Sequence, residues 1–213
     1  MKLEDFFPYI LVETPGCPDP LARQALVSAA IEFCKETMAW TESQDPVTLV
    51  DGVSDYELEA PPQAIALTVR DVWVGARRLN PITMRALQDV LPNWATAGSS
   101  DPVYYNSATE RGSIRVFPIP TNTSGQSLVM RSAFIPVAGA TSLPDFMGQR
   151  HMELIAAGAK CRLMLMPGGA WSNPQLGAYY KQVFAEGLIS VRIDEDHDRV
   201  PGSVTVTARS FGF

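Results

Sequence analysis

The stretch LPDFMGQRHMELIAAGAKCRLMLMPGGAWSNPQLGAYYKQVFAEGL, residues 143–188, decides the fold. Leu143-Pro144-Asp145 opens a helical segment in which Phe146, Met152, Ile155, Ala156, Ala159, Leu163 and Met166 line one apolar side. Pro167-Gly168-Gly169 stops it, because proline cannot extend a helix and glycine favours its terminal conformation. Asn173-Pro174 then starts a second helix carrying Leu176, Tyr180, Val183, Phe184 and Leu188. Apolar recurrence at three and four residues marks both as core-facing helices. Their short connection predicts an antiparallel pair.

A third helix lies far upstream. Pro18-Asp19-Pro20 supplies a capping side chain at Asp19 and a proline suited to the first turn. Leu21, Ala25, Leu26, Ala29, Phe33 and Thr37 follow at helical spacing, and the helix is expected to end near Trp40. Between it and the helical pair the texture is that of short strands, at 47–50, 56–59, 65–74, 103–108, 113–117 and 128–137. Asn80-Pro81 is expected to open a short helix through Met84, Leu87 and Leu91. Hairpin turns are expected at Glu110-Arg111-Gly112 and across Thr121 to Gly125.

The order helix, strands, two helices predicts an α+β protein. Its helical bundle base (1–45 and 141–199) carries an inserted β-rich sandwich- or barrel-like domain (46–140) and an extended C-terminal tail (200–213). With 46% hydrophobic and 19% charged residues, the chain can bury such a core without disulfides. The three cysteines, Cys17, Cys34 and Cys161, form no C-x-x-C pair and read as buried thiols.

Net charge is -6, unevenly placed: residues 1–60 carry 12 acids against 3 bases, residues 61–180 carry 6 against 10. Such regions read either as two solvated faces or as complementary surfaces that steer association between copies, the second reading giving Arg77 and Arg78 as candidate subunit-interface residues. The overall acidity disfavours a grip on nucleic acid, which rests on neutralising phosphates. Two acids precede the first apolar run, unlike a secretory signal, and no stretch approaches the ~18 apolar residues of a membrane span. The expected location is the cytoplasm until assembly.

Chemistry-bearing motifs are scarce. His151 and His197 are the only histidines, and His151 is expected at a surface or interface. No phosphate loop, nucleophile elbow, dinucleotide fingerprint or zinc-protease motif occurs. Asp194, Asp196 and Asp198 alternate like calcium-loop ligands. Arg199 and Thr205 nevertheless stand where that loop requires Gly and Glu. No catalytic, metal or cofactor site is therefore assigned. Trp73, Trp94, Tyr104 and Tyr105 leave a competing reading, a ligand- or carbohydrate-binding module in the β region, and a hydrolase would need a perturbed carboxylate pair.

Several strings carry a resemblance: Ala29-Ala30-Ile31-Glu32-Phe33-Cys34, Arg115-Val116-Phe117-Pro118-Ile119-Pro120, Leu143-Pro144-Asp145-Phe146 leading into Ile155 to Ala159, and Tyr179-Tyr180 to Phe184. In this order they resemble the head-to-tail adaptor, or connector, proteins of tailed bacteriophages, over nearly the whole chain. The resemblance implies a non-enzymatic virion protein of the neck. It would form a homo-oligomeric ring of about twelve copies beneath the portal protein, above a tail, tail-tube or nozzle protein. DNA would pass through the channel without specific binding. It also implies a portal-binding role for the tail, where Val204, Val206, Arg209, Phe211 and Phe213 are the candidate contacts.

Overall fold

The computed structural model describes residues 1–108, 112–123 and 125–197. In chain order the elements are a 3-10 turn (Leu3–Phe6), α1 (Phe7–Leu11), α2 (Asp19–Thr37), β1 (Thr41–Ser43), β2 (Val47–Thr48), β3 (Asp55–Glu57), β4 (Ala64–Val74), β5 (Arg77–Arg78) and β6 (Asn80–Pro81). They continue with α3 (Met84–Val90), β7 (Gly98–Ser99), β8 (Tyr104–Ala108), β9 (Ser113–Phe117), β10 (Ile119–Pro120), β11 (Ser127–Pro136), α4 (Asp145–Met164) and α5 (Pro174–Asp196). This is the α+β class expected.

The helix signals act within one turn of where the sequence puts them. Asn173 accepts the Leu176 N–H at 3.2 Å and caps α5. At α2 the cap position is Pro18, and Asp19 stands inside the first turn without a capping bond, where its charge favours the positive helix end. Met38, at φ 54°, ends α2. The short α3 is capped by Thr83, whose hydroxyl accepts from the Ala86 N–H. Asn80-Pro81 does not open that helix. It pairs in parallel with β8 at Tyr104 and Tyr105, because a strand partner satisfies the backbone there.

Contacts between the last two helices run in opposite order along the chain. Gly187 meets Leu154, Gly158 meets Phe184, and Gly177 meets Met164 and Leu165. The pair is therefore antiparallel. Gly158 lets α4 approach α2 and α5 at once, since a Cβ there would lie 2.8 Å from the Phe184 ring and 3.0 Å from Ala29 Cβ. Phe33, Leu26, Ala29, Ile155, Ala159, Leu163, Phe184 and Leu188 belong to this bundle core, which also takes in Trp40, Ala64 and Phe134. Helix α4 breaks regular geometry at His151 (φ -129°, ψ 16°), whose ring packs 4.9 Å from Phe33. His151 is thus a half-buried residue whose ring packs against the core.

Strands β4 and β11 form a long antiparallel ribbon from Ala64 opposite Pro136 to Val74 opposite Leu128. Register shifts leave Arg70 and Leu67 as the extra residues on β4, and bulges of this kind bend a strand. The ribbon leads away from the bundle into a second core of Leu49, Tyr56, Val69, Val72, Leu79, Tyr105, Ile114, Val116 and Met130. A sheet in the order β3-β9-β8-β6 lies against it. Among the described residues the sheets stay open and no barrel closes. The β8–β9 pairing is antiparallel. The turn expected at Glu110-Arg111 lies outside the described residues, as does the tail with Val204, Val206, Arg209, Phe211 and Phe213.

Candidate functional site

Three bases of the middle region find acids of the first sixty residues within the same chain. Arg115 bonds Asp55 through Nε (2.7 Å) and Nη2 (2.9 Å), Arg162 reaches Glu32, and Lys160 donates to Glu13 at 2.8 Å. Part of the charge asymmetry along the sequence is therefore used within one copy to hold the fold together. Arg77 donates to Asp101 (2.6 Å) and to the Pro102 carbonyl, and Arg78 pairs with Asp71. Both arginines are tied within the β region, on the short strand that caps the far end of β4.

The Glu13–Lys160–Tyr180 cluster is the most buried of these ionic contacts. Lys160 is 8% exposed and its ammonium sits 3.9 Å from the Tyr180 ring centre, a cation–π arrangement. The Tyr180 hydroxyl donates to the other Glu13 oxygen. Burial alone would raise the Glu13 carboxyl; hydrogen bonds from Lys160 and Tyr180 outweigh it and hold the group below its ordinary value. Burial likewise opposes the charge on Lys160, yet bonding to Glu13 and Tyr180 raises its pKa. The cluster ties the segment after α1 to α4 and α5. No local motif announces it; its one trace in sequence is a lysine inside the small apolar run Ile155 to Cys161.

The described residues assemble no recognisable reaction centre. Three carboxylates have displaced pKa values, Glu4, Glu13 and Asp51, and all are lowered, the first and last by backbone hydrogen bonds. None is held protonated as a general acid requires. Among these residues no group of His, Cys, Asp and Glu is placed to hold a metal. Asp194 and Asp196 are helical, on α5, and Asp198 lies outside the described residues. The four aromatics do not form one platform: Tyr105 is buried and donates to the Arg70 carbonyl at 3.4 Å, while Trp94 packs edge-on against Phe117.

Exposed apolar side chains also stand on the surface. On α5, Ile189 (62% exposed) and Ile193 (51%) lie one turn apart on the side opposite Phe184, Leu188 and Val191. Tyr179 is exposed nearer the helix start, separated from Ile189 by exposed Gln182 and Glu186, which hydrogen-bond to each other, and Tyr9 and Val12 are exposed on and just after α1. Isolated apolar side chains are ordinary on a surface, whereas an adjoining pair such as Ile189 and Ile193 suits contact with another surface. Among the described residues, no helix is long and apolar enough to cross a membrane.

The profile of the SU10 adaptor protein family matches residues 9–207. The chain belongs to the SU10 adaptor protein family. The match spans α1 to α5 and all the strands between them, so membership covers the bundle and the β region together. It bears out the resemblance to bacteriophage head-to-tail adaptors. No curated protein matches the chain.

Proposed function

We propose that this adaptor is a structural, non-enzymatic protein of the phage neck. It assembles as a ring of about twelve copies beneath the portal and extends the DNA channel toward the tail. The observation that carries this reading is the family match over residues 9–207, supported by the exposed apolar pair Ile189 and Ile193 on α5.

In this reading the bundle (1–45 and 141–199) builds the ring. The β region (46–140) projects from it, with Arg77 and Arg78 near the neighbouring copy. The segment 200–213 reaches the portal through Val204, Val206, Arg209, Phe211 and Phe213. A heterologous contact repeated around a closed ring needs two different faces on each copy. The net charge of -6 suits a conduit that lets DNA slide, since a basic lining would bind phosphates. Assembly takes place in the host cytoplasm before the tail joins.

The test is light scattering of the purified chain, alone and mixed with its portal ring. A gain of about twelve times 23.2 kDa over the portal mass supports the proposal. No association at any salt concentration overturns it. A chain ending at residue 199 should remain folded and fail to dock; undiminished docking would remove the role given to the tail.

A further inference from the structure

Two clefts join on the flank of the bundle where α1 meets α4 and α5. One, of about 630 Å³, is lined by Tyr9, Arg150, Glu153 and Val183 among others. The other, of about 420 Å³, adds Val12, Ala156 and Ala157. Tyr9, Glu153 and Val183 line both, so the two form one groove. Along α4 its lining runs Arg150, Glu153, then Ala156 and Ala157: a base, an acid and a small apolar floor. Both charged side chains are exposed, and neither belongs to an ion pair among the described residues.

Helix α5 carries the complementary order on its outer flank. Ala185, Ile189, Arg192 and Asp196 are all exposed, and their spacing of three and four residues makes them one stripe. Read back from the helix end, it runs Asp196, Arg192, then Ile189 and Ala185: an acid, a base and an apolar pair. Within the chain Asp196 meets Arg70 and Arg192 only at 3.9 Å, the outer limit of an ion pair, which leaves Arg192 and Asp196 open to closer partners. The lengths also agree. At 1.5 Å per residue the groove from Arg150 to Lys160 extends about 15 Å and the stripe about 16 Å.

Rotation about a ring axis keeps equivalent helices along that axis parallel, and each copy must offer a receiving and an entering face on opposite flanks. For about twelve copies those faces stand about 150° apart. The stripe meets both demands. On α5 it lies about 120–180° round the helix from Val183, at 100° per residue. Setting Asp196 by Arg150 and Arg192 by Glu153 runs the entering α5 against the direction of α4. It is then parallel to the α5 of the receiving copy, because α4 and α5 are antiparallel. Turned end for end, the stripe would set Arg192 over Ala156 and Ala157, pressing a charge onto an apolar floor.

Resting on the ring reading above, we propose that the α5 stripe of one copy enters the α1–α4–α5 groove of the next. Arg192 meets Glu153, Asp196 meets Arg150, and Ile189 and Ala185 lie against Val12, Ala156 and Ala157. The alanines let the two helices approach closely. The two opposed charge pairs fix the register and reject a slipped one.

Two charge reversals, Glu153→Arg in the groove and Arg192→Glu on the stripe, test the contact in the full chain mixed with its portal ring and followed by light scattering. Either variant alone sets like charges face to face in every contact, and should raise the chain concentration needed for half-assembly at least about tenfold. An equimolar mixture of the two should assemble as the unaltered chain does, because each groove then meets an opposite charge when the variants alternate. A misfolded variant could not give that rescue. Assembly of either variant alone as readily as the unaltered chain overturns the contact and leaves the ring reading standing. Loss that mixing does not rescue assigns the altered faces to the portal or a tail protein, and overturns the contact too. An unaltered chain that never adds to the portal fails the ring reading itself, and the contact with it.

Discussion

Glu13→Gln should cost far more stability than removing the charge that Glu13 neutralises. The lysine side chain is 10% exposed and the glutamate 35%, so the glutamine variant strands a cation in the less solvated place. Breaking a fully buried pair from one side costs about 3–5 kcal/mol. Partial exposure of Glu13 lets water screen the pair and lowers the expectation to about 2 kcal/mol. For a chain of this size that corresponds to a fall in Tm of about 4–8 °C. Lys160→Met keeps most of the stem's packing and leaves Glu13 to the Tyr180 hydroxyl and water, for a loss of about 1 kcal/mol or less.

Urea unfolding of both single variants and the double variant measures the asymmetry and the coupling. The pH dependence follows from the two displaced groups. Glu13 titrates below its ordinary 4.5, so its contribution is full above that value and fades as the pH falls through the lowered one. Lys160 titrates above its ordinary 10.5, so its contribution is full below that value and fades as the pH rises through the raised one. The gap between unaltered protein and Glu13→Gln should stay level between about pH 5 and pH 10 and close in acid. Equal costs for the single variants, additive in the double, would refute the reasoning.

Gly158→Ala should lower stability by about 1–2 kcal/mol despite alanine's better helix propensity, since the new methyl meets Phe184 and Ala29; a stabilised variant in urea would contradict the packing described. All three cysteines are buried, and burial pushes the Cys34 thiol furthest up, so Cys34 should react last with a thiol reagent, and rapid labelling in the native protein would contradict its placement. Charge reversal at Arg77 and Arg78 should weaken ring formation more at low salt than at high, because exposed charges are screened beyond about 8–10 Å. Loss independent of salt in sedimentation would trace the defect to the broken intrachain bonds with Asp101 and Asp71.

Much of the fold is legible from neighbouring residues. Pro144-Asp145, Asn173-Pro174 and Pro167-Gly168 fix where the last helices begin and end, because capping and proline geometry act within one turn. Alternating and β-branched runs mark β4, β9 and β11 for the same local reason. The order of these elements sufficed for the class and for the resemblance that the family match upholds. Local cues misplaced Asp19 and Asn80-Pro81, where the cap is Pro18 and a strand partner took the backbone.

Tertiary structure alone decided which acid meets which base. Glu13 and Lys160 are 147 residues apart, and nothing in either neighbourhood names the other. Complementary charge along the sequence suggested contacts between copies; packing of α1 and α2 against α4 closes two of those pairs inside one. The bulges at Leu67 and Arg70 also arise from how β11 lies on its partner. Backbone preferences are properties of a few adjacent residues and can be read in order, whereas long-range pairing depends on the whole chain's compaction.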